Sequence, residues 1–143
     1  MRPERIFREH VLQLLCQFDE GINPDDMRIT SSDFDEEVME TSTPSDEEMS
    51  LAKTIWQNKE ETDIAINAKT PEWPVHRQPI IDRNLIRLAR HEIVSEITPP
   101  IVAIDEAIEL AKIFSTEQSH LFINGVLDAL FTEHKQSSNI GSD

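Results

Sequence analysis

Five histidines, His10, His76, His91, His120 and His134, are the residues best able to ligate a metal or relay a proton. No two stand at the i, i+4 spacing that brings two imidazoles onto one ion. His91-Glu92 opens the string of a zinc-peptidase helix, but Ser95 occupies the place of the second histidine. Asp33-Phe34-Asp35-Glu36-Glu37 offers oxygens of the kind calcium takes, yet it lacks the central glycine and the closing glutamate of a calcium loop. The paired carboxylates Glu36-Glu37 and Glu47-Glu48 lie in a stretch that reads as solvated, with no neighbour to shift a pKa. Three glycines, Gly21, Gly125 and Gly141, are too few and too scattered to cradle a phosphate. Neither a nucleophile elbow nor a Cys-His signature is present. These absences predict a protein that is not an enzyme and uses neither a metal nor a cofactor.

Residues suited to binding are easier to find. Arg2, Arg5 and Arg8 open the chain, and Arg77, Arg83, Arg87 and Arg90 form a second basic stretch. Arg83, Arg87 and Arg90 fall at i, i+4, i+7 and so share one helix edge, which reads either as a solvated face laced with salt bridges or as a contact for anions. Phe122, Asn124 and Gly125 form the other constellation. A glycine inside a helix costs about 1 kcal/mol relative to alanine, so Gly125 implies a close approach, by a ligand or by a packed core element. Thirteen basic against twenty-eight acidic residues give a net charge of −15, which taken alone opposes nucleic acid as a partner. The distribution alters this: residues 19–48 hold twelve acids and a single arginine, Arg28, so −11 of the −15 is concentrated there.

The elements that must position these residues are helices. Phe7, Val11, Leu14, Leu15 and Phe18 predict a first helix over about 4–19, stopped by Gly21 and Pro24. An acidic loop over about 20–48 follows, partly mobile, with Phe34, Val38 and Met39 sufficient for one short helix at most. Ser45 and Glu48 form a capping-box pattern that starts a helix carrying Ala52, Ile55, Trp56, Thr62 and Ile66, with a bend at Lys59. Pro71 and Pro74 break it. Ile81, Leu85, Leu88, Ala89 and Ile93 predict a helix ending near Ile97, terminated by Pro99 and Pro100. Ile104, Ala107, Ile108, Ala111 and Phe114 mark the next, whose alanines admit a close neighbour. Phe122, Ile123, Val126, Leu127 and Leu130 mark the last, beginning between Ser115 and Ser119, and the polar tail 136–143 reads as frayed. No segment alternates with period two, so an all-α fold is expected.

At 143 residues the chain suits one domain over 1–143 with a core that needs no staples. The lone Cys16 excludes an internal disulfide, and no apolar run is long enough for a signal-peptide core or a bilayer span. A soluble cytoplasmic protein without membrane partners is the expectation.

Three strings, Ile81-Asp82-Arg83-Asn84-Leu85-Ile86-Arg87-Leu88-Ala89, Val102-Ala103-Ile104-Asp105-Glu106-Ala107-Ile108-Glu109-Leu110-Ala111-Lys112 and Phe122-Ile123-Asn124-Gly125-Val126-Leu127-Asp128, resemble in order and spacing the NusB family of transcription antitermination factors. The resemblance extends through Trp73, Arg77, Arg8-Glu9 and Gln13, leaving only about 20–48 unmatched. It implies a bundle of about six or seven helices in two packed subdomains. It also implies a factor that binds boxA-like single-stranded RNA together with the ribosomal protein NusE and tethers that RNA to the elongating RNA polymerase. Arg2, Arg5, Arg8, Arg87, Phe122 and Asn124 are the residues it assigns to RNA, the arginines on phosphates and Phe122 stacked on an unpaired base. Burial of Phe122 beneath a neighbouring helix is the competing reading. The family comprises monomers and homodimers. NusB-like domains also precede RNA methyltransferases, but no glycine-rich cofactor loop is present for methyl transfer. Thinner N-terminal arginines than the family usually carries, and Cys16 where it has a tyrosine, motivate a second reading: an adaptor that binds the NusE-like partner with little RNA affinity of its own.

Overall fold

The structure, a computed structural model, describes residues 4–23 and 44–140. Six α-helices are present among these residues: α1 (Arg5–Asp19), α2 (Asp46–Gln57), α3 (Lys59–Lys69), α4 (Ile80–Val94), α5 (Pro100–Phe114) and α6 (Ser119–Ile140). A 3-10 turn, Val75–Arg77, lies between α3 and α4, and the described residues contain no strand. The Asp33–Glu37 run and the short helix considered around Phe34, Val38 and Met39 lie outside the described residues.

Local chemistry accounts for most boundaries. The Ser45 backbone N–H donates to Glu48 Oε1 at 2.7 Å and the Glu48 N–H donates back to Ser45 Oγ at 3.1 Å, a complete capping box on α2. The bend expected at Lys59 is a break at Asn58, the residue between α2 and α3. At the end of α1, Gly21 adopts φ +101°, and the N–H groups of Gly21 and Ile22 return to the carbonyls of Phe18 and Gln17, a Schellman closure.

Four expectations are corrected. The helix expected to reach Ile97 stops at Val94, because Ser95 and Glu96 close it with the same Schellman pattern, Glu96 N–H to the Ile93 carbonyl and Ile97 N–H to the Glu92 carbonyl. Pro99 and Pro100 begin α5 instead of ending α4, and Pro100 at the first helical position wastes no donor. The tail expected to fray from 136 remains helical to Ile140. Phe114, assigned to the buried stripe of α5, is 38% exposed.

The core has two clusters. Val11, Leu14, Leu15 and Phe18 of α1 meet Ala52 and Ile55 of α2, together with Leu88. Leu85, Ile86, Ala89 and Ile93 of α4 pack with the inner faces of α5 and α6, and with Leu12, Ile66 and Val75. Helix α4 therefore contributes to both, with Leu88 on one side and Leu85 and Ala89 on the other. Ala103, Ala107 and Ala111 face this second cluster, where small side chains let α5 lie close to α4 and α6.

Candidate nucleic-acid interface

The arginines expected on one surface are divided between surface and interior. Arg5, on the first turn of α1, keeps 48% of its side chain exposed and grips Glu106 of α5 through two contacts, Nε to Oε2 at 3.1 Å and Nη2 to Oε1 at 3.4 Å. Arg8, one turn further on, is 3% exposed. Its Nε donates to both oxygens of Glu92 at 3.0 and 3.2 Å, and its Nη2 lies 2.8 Å from Glu92 Oε1. Thr98 Oγ1 completes the group by donating to Glu92 Oε1 at 3.0 Å. Glu92 is 1% exposed, and these charge-assisted bonds are its partners away from water, so Arg8 belongs to the interior.

Arg87 is likewise interior, 4% exposed. Its Nε and Nη2 make a fork onto Asp63 at 2.9 and 2.7 Å, and its Nη1 reaches Asp19 at 3.1 Å and Asn84 Oδ1 at 2.9 Å. The guanidinium carbon sits 5.6 Å from the centroid of the Trp56 ring. Arg83 pairs with the same Asp19, whose Oδ2 also accepts from Asn84 Nδ2 at 2.8 Å. Burial pushes the Asp19 carboxyl upward, but the hydrogen bonds from Arg83 and Asn84 and the charges of Arg83 and Arg87 outweigh it, and its pKa falls below the ordinary range. Arg90 donates to Thr62 Oγ1 at 3.2 Å. The helix edge expected to be either solvated or anion-binding is therefore mostly an internal seam that joins α4 to α1 and α3.

Arg8 and Arg87 also lie at opposite ends of α1, since their partners place them beside its first turn and beside Asp19. At 1.5 Å rise per residue the two levels are about 16 Å apart. Arg2 lies outside the described residues.

The second constellation is on the first half of α6. Phe122 is half-buried and meets Trp73 edge to face, with centroids 4.8 Å apart at 60°. Phe122 packs against the larger core cluster and retains an accessible part. Asn124 is half-buried, and Gly125 is exposed, with nothing within 4 Å of where a Cβ would stand. A core contact does not explain this glycine. Trp73, 37% exposed, was visible in the sequence only as part of the family resemblance. Its pairing with Phe122 joins residues separated in the chain by α4 and α5 and has no local signature.

The described residues contain no group of three or more His, Cys, Asp or Glu side chains able to hold a metal ion. None of their helices is long and apolar enough to cross a membrane. Burial raises the Cys16 thiol to about 11, with Asp19 and Glu20 adding to the effect, so it is a poor nucleophile at neutral pH.

Comparison with known proteins agrees with this architecture. The family model described as the NusB family matches residues 5–131. The transcription antitermination protein NusB of Desulforapulum autotrophicum is 38% identical over 133 residues, covering 91% of this chain and 92% of that protein. The protein of the same name from Elusimicrobium minutum is 35% identical over 142 residues, covering 97% and 100%. A solved structure of T. maritima NusB superposes with a TM-score of 0.70 at 31% identity, covering 94% of both chains. The three strings on α4, α5 and α6, the two-cluster helical fold and these whole-length matches have one reading: the chain belongs to the NusB family.

Proposed function

We propose that this chain is a non-enzymatic transcription antitermination factor that binds boxA-like single-stranded RNA with a NusE-type ribosomal protein and tethers the transcript to elongating RNA polymerase. The observation that carries the reading is the match over nearly the full chain to proteins named for transcription antitermination. The geometry supports it at two places. Arg5 stands exposed at the start of α1, where Arg2 adjoins it in sequence, and Phe122 and Asn124 stand at partly open positions of α6.

One structural observation favours the narrower reading of an adaptor for the ribosomal protein. Arg8 and Arg87 are engaged with Glu92, Asp19 and Asp63, and the exposed Arg5 is itself paired with Glu106. Each described arginine that the resemblance assigns to RNA is thus already paired with a carboxylate, in a chain of net charge −15.

Binding of labelled boxA RNA over a salt series, with and without the ribosomal partner, separates the two. Arg5→Ala is the informative variant, because exposed ion pairs contribute at most about 1 kcal/mol and the fold should survive its loss. The RNA reading expects weaker binding and a salt slope smaller by about 1. An unchanged affinity and slope in the assembled complex would favour the adaptor, and no sequence-selective RNA binding even with the partner present would defeat the primary reading.

A further inference from the structure

Two interior side-chain oxygens, Gln78 Oε1 and Asp82 Oδ2, have no hydrogen-bond partner among the described residues. Gln78 is 3% exposed and Asp82 0%. A buried acceptor left unpaired carries the full cost of its lost hydration, and native interiors supply a donor to nearly every one. The two residues stand four apart at the start of α4, Gln78 just before the Pro79 N-cap and Asp82 in the first turn.

Their neighbours place both on the side of α4 that meets the start of α6. Gln78 Nε2 donates to the Trp73 carbonyl at 3.0 Å, and the Trp73 ring meets Phe122 of α6. Ser115 Oγ donates to Asp82 Oδ1 at 2.6 Å and lies 2.9 Å from the Oγ of Ser119, the first residue of α6, one turn before Phe122. Thr116 Oγ1, 2.8 Å from the same Ser119 Oγ, extends this polar lining.

Neither oxygen can be satisfied by turning its side chain over. The Trp73 carbonyl only accepts, so it holds the Gln78 amide with Nε2 toward it and Oε1 away. A carboxylate has no proton to give to Oε1, and the 2.6 Å Ser115 bond has the length of a hydroxyl bond to an ionised oxygen. The missing component is a donor from outside the chain, either water or a cation. Charge decides between them. Asp82 lies at the positive end of α4, and Ser115 links it to the opening of α6, a second positive end. Fixed dipoles therefore already favour the carboxylate, whereas a cation would be brought against two helix starts.

We propose that the seam between the starts of α4 and α6 is an internal water site, in which water donates to Asp82 Oδ2 and to Gln78 Oε1. Such water is part of the fold: it joins the segment that carries Trp73 to the start of α6 by polar contacts, beside the aromatic one.

A crystal structure of the full chain, at a resolution that shows ordered solvent, tests the site directly. Water about 2.5–3.0 Å from Asp82 Oδ2 and from Gln78 Oε1 is the expected result. Absence of water beside either oxygen, or a protein donor in its place, overturns the proposal. A bound cation overturns it too, and two measurements detect one. A rubidium soak gives no anomalous peak at a water site. Thermal midpoints in sodium, potassium and choline chloride at equal ionic strength should agree within about 1 °C, whereas a bound cation raises the midpoint in its own salt. In solution, oxygen-17 relaxation dispersion reads long-lived internal water, and its amplitude should fall by at least about one molecule in Asp82→Leu. An unchanged amplitude in an Asp82→Leu chain that keeps its helical circular dichroism overturns the site. If that variant fails to fold, the crystal structure of the unsubstituted chain still decides.

Discussion

At the scale of single residues, the arginines have divided roles that their spacing conceals. Arg8 and Glu92 form a buried pair, and removing one partner strands the other charge away from water at a cost of about 3–5 kcal/mol. Arg8→Ala should therefore lower the urea midpoint by that equivalent, a large share of a typical domain's total stability. The double replacement Arg8→Met with Glu92→Leu should recover most of the loss, because neither charge of the pair is then left buried without its partner. It follows that weak RNA binding in Arg8→Ala reports the fold and not a phosphate contact. Asp19 makes a pH-dependent contribution of the same kind. Its folded pKa lies below the ordinary 3.8, so its stabilisation is complete above that value and is lost as pH falls through the lower folded one. Asp19→Asn should flatten the acid limb of a stability-versus-pH curve below about pH 4 and leave its shape at neutral pH unchanged.

At the scale of elements, the helix starts were more legible than the ends. A capping box or a proline writes a start into neighbouring residues, as Ser45 and Glu48 do for α2. The end of α4 has no such mark, because Glu96 takes the left-handed position that glycine fills at the end of α1. A β-carbon in that conformation costs about 1–2 kcal/mol. Glu96→Gly is expected to raise stability by about 1 kcal/mol, seen as an increase in the thermal midpoint, with α4 still ending at Val94. Gly125→Ala should do the same from the opposite direction, by about 1 kcal/mol, since the added methyl meets open space within the chain. What the sequence could not supply was partnership. Arg8 meets Glu92 and Arg87 meets Asp63 across turns whose geometry no local spacing encodes, so the arginines read as a surface edge until their partners were placed.

At the scale of the whole molecule, α4 makes the two apolar clusters one unit. Leu88 enters the cluster of α1 and α2 while Leu85 enters that of α5 and α6, and the ion pairs at Asp19 and Glu92 fasten α1 to α4 near both of its ends. Leu85→Ala and Leu88→Ala should each cost about 2–5 kcal/mol. Each should shift a single unfolding transition, with circular dichroism and tryptophan emission coinciding, in place of splitting it into two steps. The closures at the ends of α1 and α2 have a different consequence. Gly21 seals the end of α1, Ser45 seals the start of α2, and the two helices pack directly on each other, so each post of the connection carries its own closure. Doubling the length of such a span costs only about 0.6 kcal/mol in closure entropy. The acidic segment is thus a natural port for grafting, where a reporter peptide or an affinity tag is expected to be tolerated by the helices that carry Arg5 and Phe122.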